Sequence, residues 1–161
     1  MKDLLRQSVE RLTEAFADII CLIEPLSVRE NYYLRSYDTA IDIVKEINHP
    51  NLKIMLDTYH LQKLHSSGDE NDGTIIEQYI ERLSPYIGHV QISQVPARDS
   101  PMNDGQIHFD SVIPLIRRLY SGSIGLEYFG KLLFSCDFWK VCCFNAKLVS
   151  PFLFHERILY F

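Results

Sequence analysis

Four polar residues close four short apolar runs along this chain. Glu24 follows Ile19-Ile20-Cys21-Leu22-Ile23, Asp57 follows Leu52-Lys53-Ile54-Met55-Leu56, Gln91 stands near the end of Ile87-Gly88-His89-Val90-Gln91-Ile92, and Glu127 follows Ser123-Ile124-Gly125-Leu126. All four side chains offer oxygen. Oxygen-only ligation suits Mg²⁺ or Mn²⁺ rather than a metal selected by thiolates. Three carboxylates crowded without a cation would repel one another and their pKa values would rise; a divalent ion relieves that. Taken singly, each carboxylate reads equally well as a helix cap or a solvated loop residue. His89 and Gln91 are two apart and share a strand face, so either offers the third-strand ligand. A histidine ligand would shift the preference toward Mn²⁺ or Zn²⁺.

The elements between these residues must bring them together. Lys2 to Ala17 carries Leu4, Leu5, Val9, Leu12 and Phe16 at helical spacing. Ile19 to Ile23 is a short continuous apolar run, as expected of a strand buried on both faces in a parallel sheet. Residues 25–34 read as a polar loop. Ser36 to Ile47 is a helix with Ala40, Ile43, Val44 and Ile47 on one face, broken by Asn48-His49-Pro50-Asn51. Leu52 to Asp57 is a strand, 59–65 a short helix, and 65–73 a loop. Thr74 to Leu83 is a helix whose Thr74 and Glu77 have capping-box spacing. Ile87 to Ile92 is a strand, Phe109 to Tyr120 a helix carrying Pro114, and Ser123 to Tyr128 a strand. This alternation predicts parallel strands joined by helical crossovers. Ligands of such folds bind at the carboxyl ends of the strands, where Glu24, Asp57, Gln91 and Glu127 would share one mouth.

Composition excludes several classes. The 161 residues are 47% hydrophobic and 23% charged, ordinary globular usage for one domain. The net charge of −5 speaks against nucleic acid as a partner. No apolar run is long enough to span a membrane, and the charged N-terminal stretch is no signal peptide. The four cysteines form no CxxC pair, which together with the missing signal points to a reduced, cytoplasmic protein. No Gly-rich nucleotide fingerprint is present. The chain changes character near Gly130: residues 1–130 hold 12 Lys+Arg against 19 Asp+Glu, whereas residues 131–161 are apolar, Phe-rich and net positive. We read 1–130 as one unit and 131–161 as a divergent apolar tail.

Leu22-Ile23-Glu24-Pro25-Leu26, Leu56-Asp57-Thr58-Tyr59-His60, the segment Gly88 to Pro96 and Gly125-Leu126-Glu127-Tyr128, in that order and spacing, resemble the hydroxypyruvate isomerase family of the xylose isomerase-like TIM barrels, which also include ketose 3-epimerases. The resemblance covers roughly residues 1–128. It implies an α/β fold, a partial TIM barrel of four parallel strands alternating with helices that forms the C-terminal half of a (β/α)₈ barrel. It implies metal binding by Glu24, Asp57, Gln91 and Glu127, proton transfer by Glu24 and Glu127, and substrate contacts from His60, Arg98 and Glu30. His89 is then an interior residue rather than a ligand. The implied reaction interconverts hydroxypyruvate and tartronate semialdehyde, a small hydroxy-carbonyl acid pair, with Mg²⁺ or Mn²⁺ as cofactor.

The family barrel runs to about 250 residues, and the resemblance begins in the helix before its fifth strand. The outer strands of the half are therefore expected as open edges, through which copies of the chain could pair. The tail reads as an ill-packed, β-prone segment, with packing over an exposed edge as the other reading. Two rival functions stand beside the isomerase: a truncated, catalytically inactive isoform acting through metal or a partner, and a metal-dependent phosphodiester hydrolase. The acidic balance of residues 1–130 disfavours the latter.

Overall fold

A computed structural model of the chain describes residues 2–27, 30–65 and 73–129, together with two strand segments at 148–149 and 158–160. The order is α1 (Lys2–Ala15), β1 (Ile20–Ile23), α2 (Tyr37–Ile47), β2 (Leu52–Asp57), α3 (Thr58–His65), α4 (Gly73–Leu83), a 3₁₀ turn (Ser84–Tyr86), β3 (Ile87–Ile92), α5 (Phe109–Leu119), β4 (Ile124–Leu126), β5 (Leu148–Val149) and β6 (Ile158–Tyr160). The four strands read from the sequence pair in parallel with their chain neighbours, β1 with β2, β2 with β3, and β3 with β4. Among the described residues no helix is long and apolar enough to cross a membrane.

The apolar pattern explains the packing. On α2, Ala40, Ile43, Val44 and Ile47 are buried, as their spacing requires. They join Cys21, Ile23, Leu52, Ile54 and Leu56 from the strands and Val112 and Ile116 from α5 in one core. Helix α2 starts where the Ser36 hydroxyl accepts the Thr39 N–H, and ends where Asn48 turns left-handed at φ 51° and its N–H bonds the Val44 carbonyl. The side chain of Thr74, on which the capping-box expectation rests, lies outside the described residues.

One expectation is corrected. The edges of the four-strand unit are not open: the sheet has six strands in the order β5-β4-β3-β2-β1-β6. Ile158 to Tyr160 run parallel to Ile20 to Leu22, and Leu148-Val149 run parallel to Ile124-Gly125. The physical reason is that a strand edge carries unpaired N–H and C=O groups, and a β-prone apolar segment satisfies them.

The register between β2 and β3 contains a feature the apolar pattern does not reveal. Ile54 stands opposite Ile87, but Met55 stands opposite His89, so Gly88 is an extra residue on β3. This bulge moves every later residue of β3 by one position. It sets Gln91 opposite Asp57, where an unbroken register would place Val90. A Cβ on residue 88 would lie 2.5 Å from Lys53 Cβ and 2.7 Å from Leu22 Cδ2, distances no packed side chain tolerates. We therefore expect Gly88→Ala to destabilise the fold by roughly 1–3 kcal/mol, as overpacking does. Urea denaturation monitored by circular dichroism checks this; wild-type stability in the variant would mean the bulge does not depend on the missing side chain.

Candidate functional site

Asp57 is fully buried and organises the mouth of the sheet. It ends β2 and begins α3, so its Oδ1 accepts the backbone N–H groups of Tyr59 at 2.8 Å and His60 at 3.4 Å, capping the helix. Its own backbone is clamped from α2: the Tyr37 hydroxyl donates to the Asp57 carbonyl and accepts the Asp57 N–H, at 3.1 and 3.2 Å. Oδ2 is left to face the mouth. There it accepts the Arg98 guanidinium at 2.9 Å.

Arg98 comes from the loop between β3 and α5, in a left-handed conformation at φ 55°. The loop is shaped by Gln94. Its Oε1 accepts the N–H groups of Val95 and Ile107, and its Nε2 donates to the carbonyls of Asn103 and Ile107. Gly105 lets the loop approach Gln94, whose side chain a Cβ there would strike at 2.3 Å. The Val95–Pro96 peptide within it is cis. The same terminal nitrogen of Arg98 that meets Asp57 lies 2.7 Å from Glu127 Oε1. The two loops are also joined through the backbone, since the Phe129 N–H donates to the Arg98 carbonyl at 2.7 Å. The guanidinium lies over the Tyr59 ring, 5.1 Å from its centre.

His60 is buried beside the carboxylates, its Nε2 lying 3.9 Å from both Glu24 Oε1 and Asp57 Oδ2. The far side of the ring decides its tautomer. The Ser27 backbone N–H points at Nδ1 from 3.1 Å, which makes Nδ1 the acceptor. A neutral imidazole then carries its proton on Nε2. Nε2–H is a hydrogen-bond donor facing the mouth and has no lone pair for a metal. Donor atoms of Glu24, Asp57 and His60 lie within 4.8 Å of one another, close enough to surround an ion. The tautomer leaves the two carboxylates as the metal-competent members of that group. Gln91, level with Asp57 on the adjacent strand, offers a further oxygen, since its buried Oε1 has no hydrogen-bond partner among the described residues.

Charge crowding shows in the proton affinities. Burial, then Asp57 and Glu127, push the Glu24 carboxyl up to about 8, with Arg98 pulling the other way. Burial pushes Asp57 up to about 7 against the pull of Arg98. Burial, then Arg98, hold His60 down to about 4, so the ring is neutral at pH 7.

Of the residues singled out in the sequence, Glu24, Asp57, His60, Arg98 and Glu127 meet in one cluster, and Gln91 stands level with Asp57 on the adjacent strand. His89 shares its strand face and sits opposite Met55. Glu30 is exposed on the loop after β1, its backbone carbonyl accepting from Arg35, and none of the described contacts ties its carboxylate to the cluster. Ser27, Tyr37 and Gln94 were not anticipated. Each acts on another residue's position, and a polar residue used that way carries no spacing signal of its own. Tyr59 was legible only as the neighbour of His60.

Parallel strands alternating with helices, with acidic residues at the strand ends, define a partial α/β barrel of the TIM type. The chain belongs to the xylose isomerase-like TIM barrel family, whose model matches residues 2–137. It is 35% identical over 114 residues to a Danio rerio protein that carries a hydroxypyruvate isomerase name, covering 68% of this chain and 38% of that protein. It is 37% identical over 110 residues to the 2-oxo-tetronate isomerase of Pectobacterium atrosepticum, covering 66% of this chain and 38% of that one. The chain thus spans well under half the length of these curated relatives. Among solved structures it is similar to D-psicose 3-epimerase from Clostridium cellulolyticum H10, with a TM-score of 0.64, 28% identity, and coverage of 81% of this chain and 41% of the epimerase. It is also similar to a family 2 AP endonuclease from Brucella melitensis, with a TM-score of 0.70, 26% identity, and coverage of 86% and 52%.

The crowded carboxyls set a pH dependence of stability. A carboxyl whose pKa is raised on folding binds its proton more tightly in the native state, so stability is lost as pH rises toward the folded value. For Glu24 that loss runs from about 4.5 to about 8, and for Asp57 from about 3.8 to about 7. His60, lowered from 6.5 to about 4, acts oppositely, but its gain is complete by pH 6.5. Between pH 6.5 and 8 only the carboxyls act. In chelator-treated buffer the melting temperature should fall over that interval, and Glu24→Gln should remove most of the fall. An equal fall in the variant would place the titrating group elsewhere.

Proposed function

We propose that the chain carries the proton-transfer half of an isomerase site that interconverts hydroxypyruvate and tartronate semialdehyde with the aid of Mg²⁺ or Mn²⁺. The observation that carries this reading is the convergence of the Glu24 and Asp57 carboxylates at the strand ends, with Glu127 joined to them through Arg98 and Gln91 level with Asp57 on the adjacent strand. The donor set fits a hard divalent cation, which takes oxygen ligands and tolerates the charge that burial penalises. Glu24, Asp57, Gln91 and Glu127 would hold it, and when bound it would polarise the carbonyl of a 2-oxo acid.

The remaining chemistry belongs to the chain. The two isomers differ by one C–H proton, moved between adjacent carbons, and one O–H proton, moved between their oxygens. No electron leaves the substrate, so no redox cofactor is required. One glutamate takes the proton from the carbon bearing the hydroxyl, giving the enediolate common to both isomers, in which the remaining O–H proton passes from one oxygen to the other. The second returns a proton to the neighbouring carbon. Glu24 suits the second role, because a carboxyl raised to about 8 still has a proton to give at neutral pH. His60 Nε2–H donates to a substrate oxygen and stays neutral while doing so. Arg98 offers a forked donor to the substrate's carboxylate. The small-acid names of the similar isomerases support this substrate class.

The test follows deuterium incorporation into hydroxypyruvate in D₂O by proton NMR, with added Mn²⁺ removed before recording. Wild type should exchange the carbon-bound proton. Glu24→Gln and Glu127→Gln should each slow exchange by about 10²–10⁴-fold, the usual worth of a positioned acid–base group. Metal uptake by calorimetry in the absence of any exchange would leave a binding protein rather than an isomerase.

A further inference from the structure

We propose that Arg98 is a displaceable internal cation, competing with a divalent metal ion for Asp57 Oδ2 and Glu127 Oε1. The inference rests on the metal reading above. One guanidinium nitrogen bridges those two oxygens, at 2.9 and 2.7 Å. Both oxygens belong to the set that would hold the ion. Mg²⁺ requires ligand oxygens at about 2.1 Å in near-octahedral directions. An ion taking both oxygens would bring a double positive charge within a few ångströms of a group already bonded to them. The guanidinium must then leave.

Its other contacts are weak. Nε reaches the Glu127 backbone carbonyl only at 3.5 Å. Its second terminal nitrogen lies 3.4 Å from His60 Nε2. With Ser27 directing the imidazole proton to Nε2, that last approach sets one N–H against another. The carboxylates alone hold Arg98 against His60, and displacement relieves the opposition. The backbone need not follow, since the Arg98 carbonyl is anchored by the Phe129 N–H and the loop by Gln94. The guanidinium already lies over the Tyr59 ring, 5.1 Å from its centre, and that contact can persist as the fork turns away from the carboxylates. Metal uptake would thereby free two donors at once, the His60 Nε2–H and the Arg98 fork, both facing the mouth. The cation then precedes the organic anion in the order of binding.

The experiment uses the full chain and Mg²⁺ alone. The Arg98 Nε–H signal is assigned by its loss in Arg98→Lys and followed by ¹⁵N NMR during titration, with uptake measured in parallel by calorimetry. We expect the signal to shift and lose its exchange protection in step with Mg²⁺ uptake. Arg98→Met should bind Mg²⁺ more tightly by a factor of about 5 to 150, the usual span of coupling between two sites. It should also melt below wild type in chelator and recover when Mg²⁺ is added. Should Arg98→Met fail to fold, the Nε–H titration of wild type decides alone. Mg²⁺ uptake with an unmoved, still protected Arg98 signal overturns the competition and leaves the metal reading standing. No uptake of Mg²⁺ by wild type or by either variant overturns both.

Discussion

Acidic side chains at the ends of parallel strands must either find positive charge or keep their protons. Every part of the mouth answers to that constraint. Asp57 has no access to water, so it takes two backbone N–H groups on one oxygen and a guanidinium on the other. Among the described residues Glu24 has no such partners, and burial beside two further carboxylates leaves it holding a proton at neutral pH. His60 cannot act as the counter-charge, because burial and Arg98 keep the ring neutral. Among the described residues a single guanidinium therefore serves a cluster of three carboxylates, and the balance of the site turns on where that charge sits.

The scaffold is arranged to hold these groups at fixed distances rather than to make them stable. The Gly88 bulge sets Gln91 beside Asp57, and Tyr37 fixes the Asp57 backbone from the helix preceding the strand. Gln94 satisfies four backbone groups of the loop that delivers Arg98. Tyr37 and Gln94 are buried polar groups with their partners satisfied, the condition under which such groups rigidify a site rather than weaken it. At the sheet's flanks, β6 and β5 cover the strands that carry Glu24 and Glu127. Pairing there supports the two ends of the carboxylate row.

The sequence revealed the elements because their periodicities are clean. Leu52–Asp57 and Ile87–Ile92 form strands at the residues where the apolar runs begin and end, and Ala40, Ile43, Val44 and Ile47 are the buried face of α2. The carboxylates were legible because they interrupt apolar runs at equivalent places. The bulge was not, since Gly88 within a strand reads the same whether it pairs or stands extra. The cover on both sheet edges was legible only as the second of two readings of the apolar tail, because pairing over long sequence separation leaves no local periodicity. The Ser27 contact escaped for the same reason: a backbone N–H from a loop 33 residues away fixes the proton of His60 without any side-chain pattern to mark it.

Burial divides the acidic residues by the work open to them. Asp57 is sealed, with one oxygen spent on the α3 cap, so it can hold a charge in place but cannot pass a proton to a substrate atom. Glu127 is 44% exposed on its side chain and Glu24 19%, so both can reach a ligand entering from the rim. They differ in environment as well as position. Glu24 is raised by burial and by its acidic neighbours, whereas Glu127 is paired with Arg98 at the open side. Two carboxyls flanking one space in unlike surroundings are what a transfer between adjacent carbons requires, one to take a proton and one to return it. The asymmetry depends on Arg98 staying near Glu127. Moving that guanidinium would take away the ion-pair partner of Glu127 and the one cationic pull on Glu24 together, which ties the proton chemistry of the site to the occupancy of its cation position.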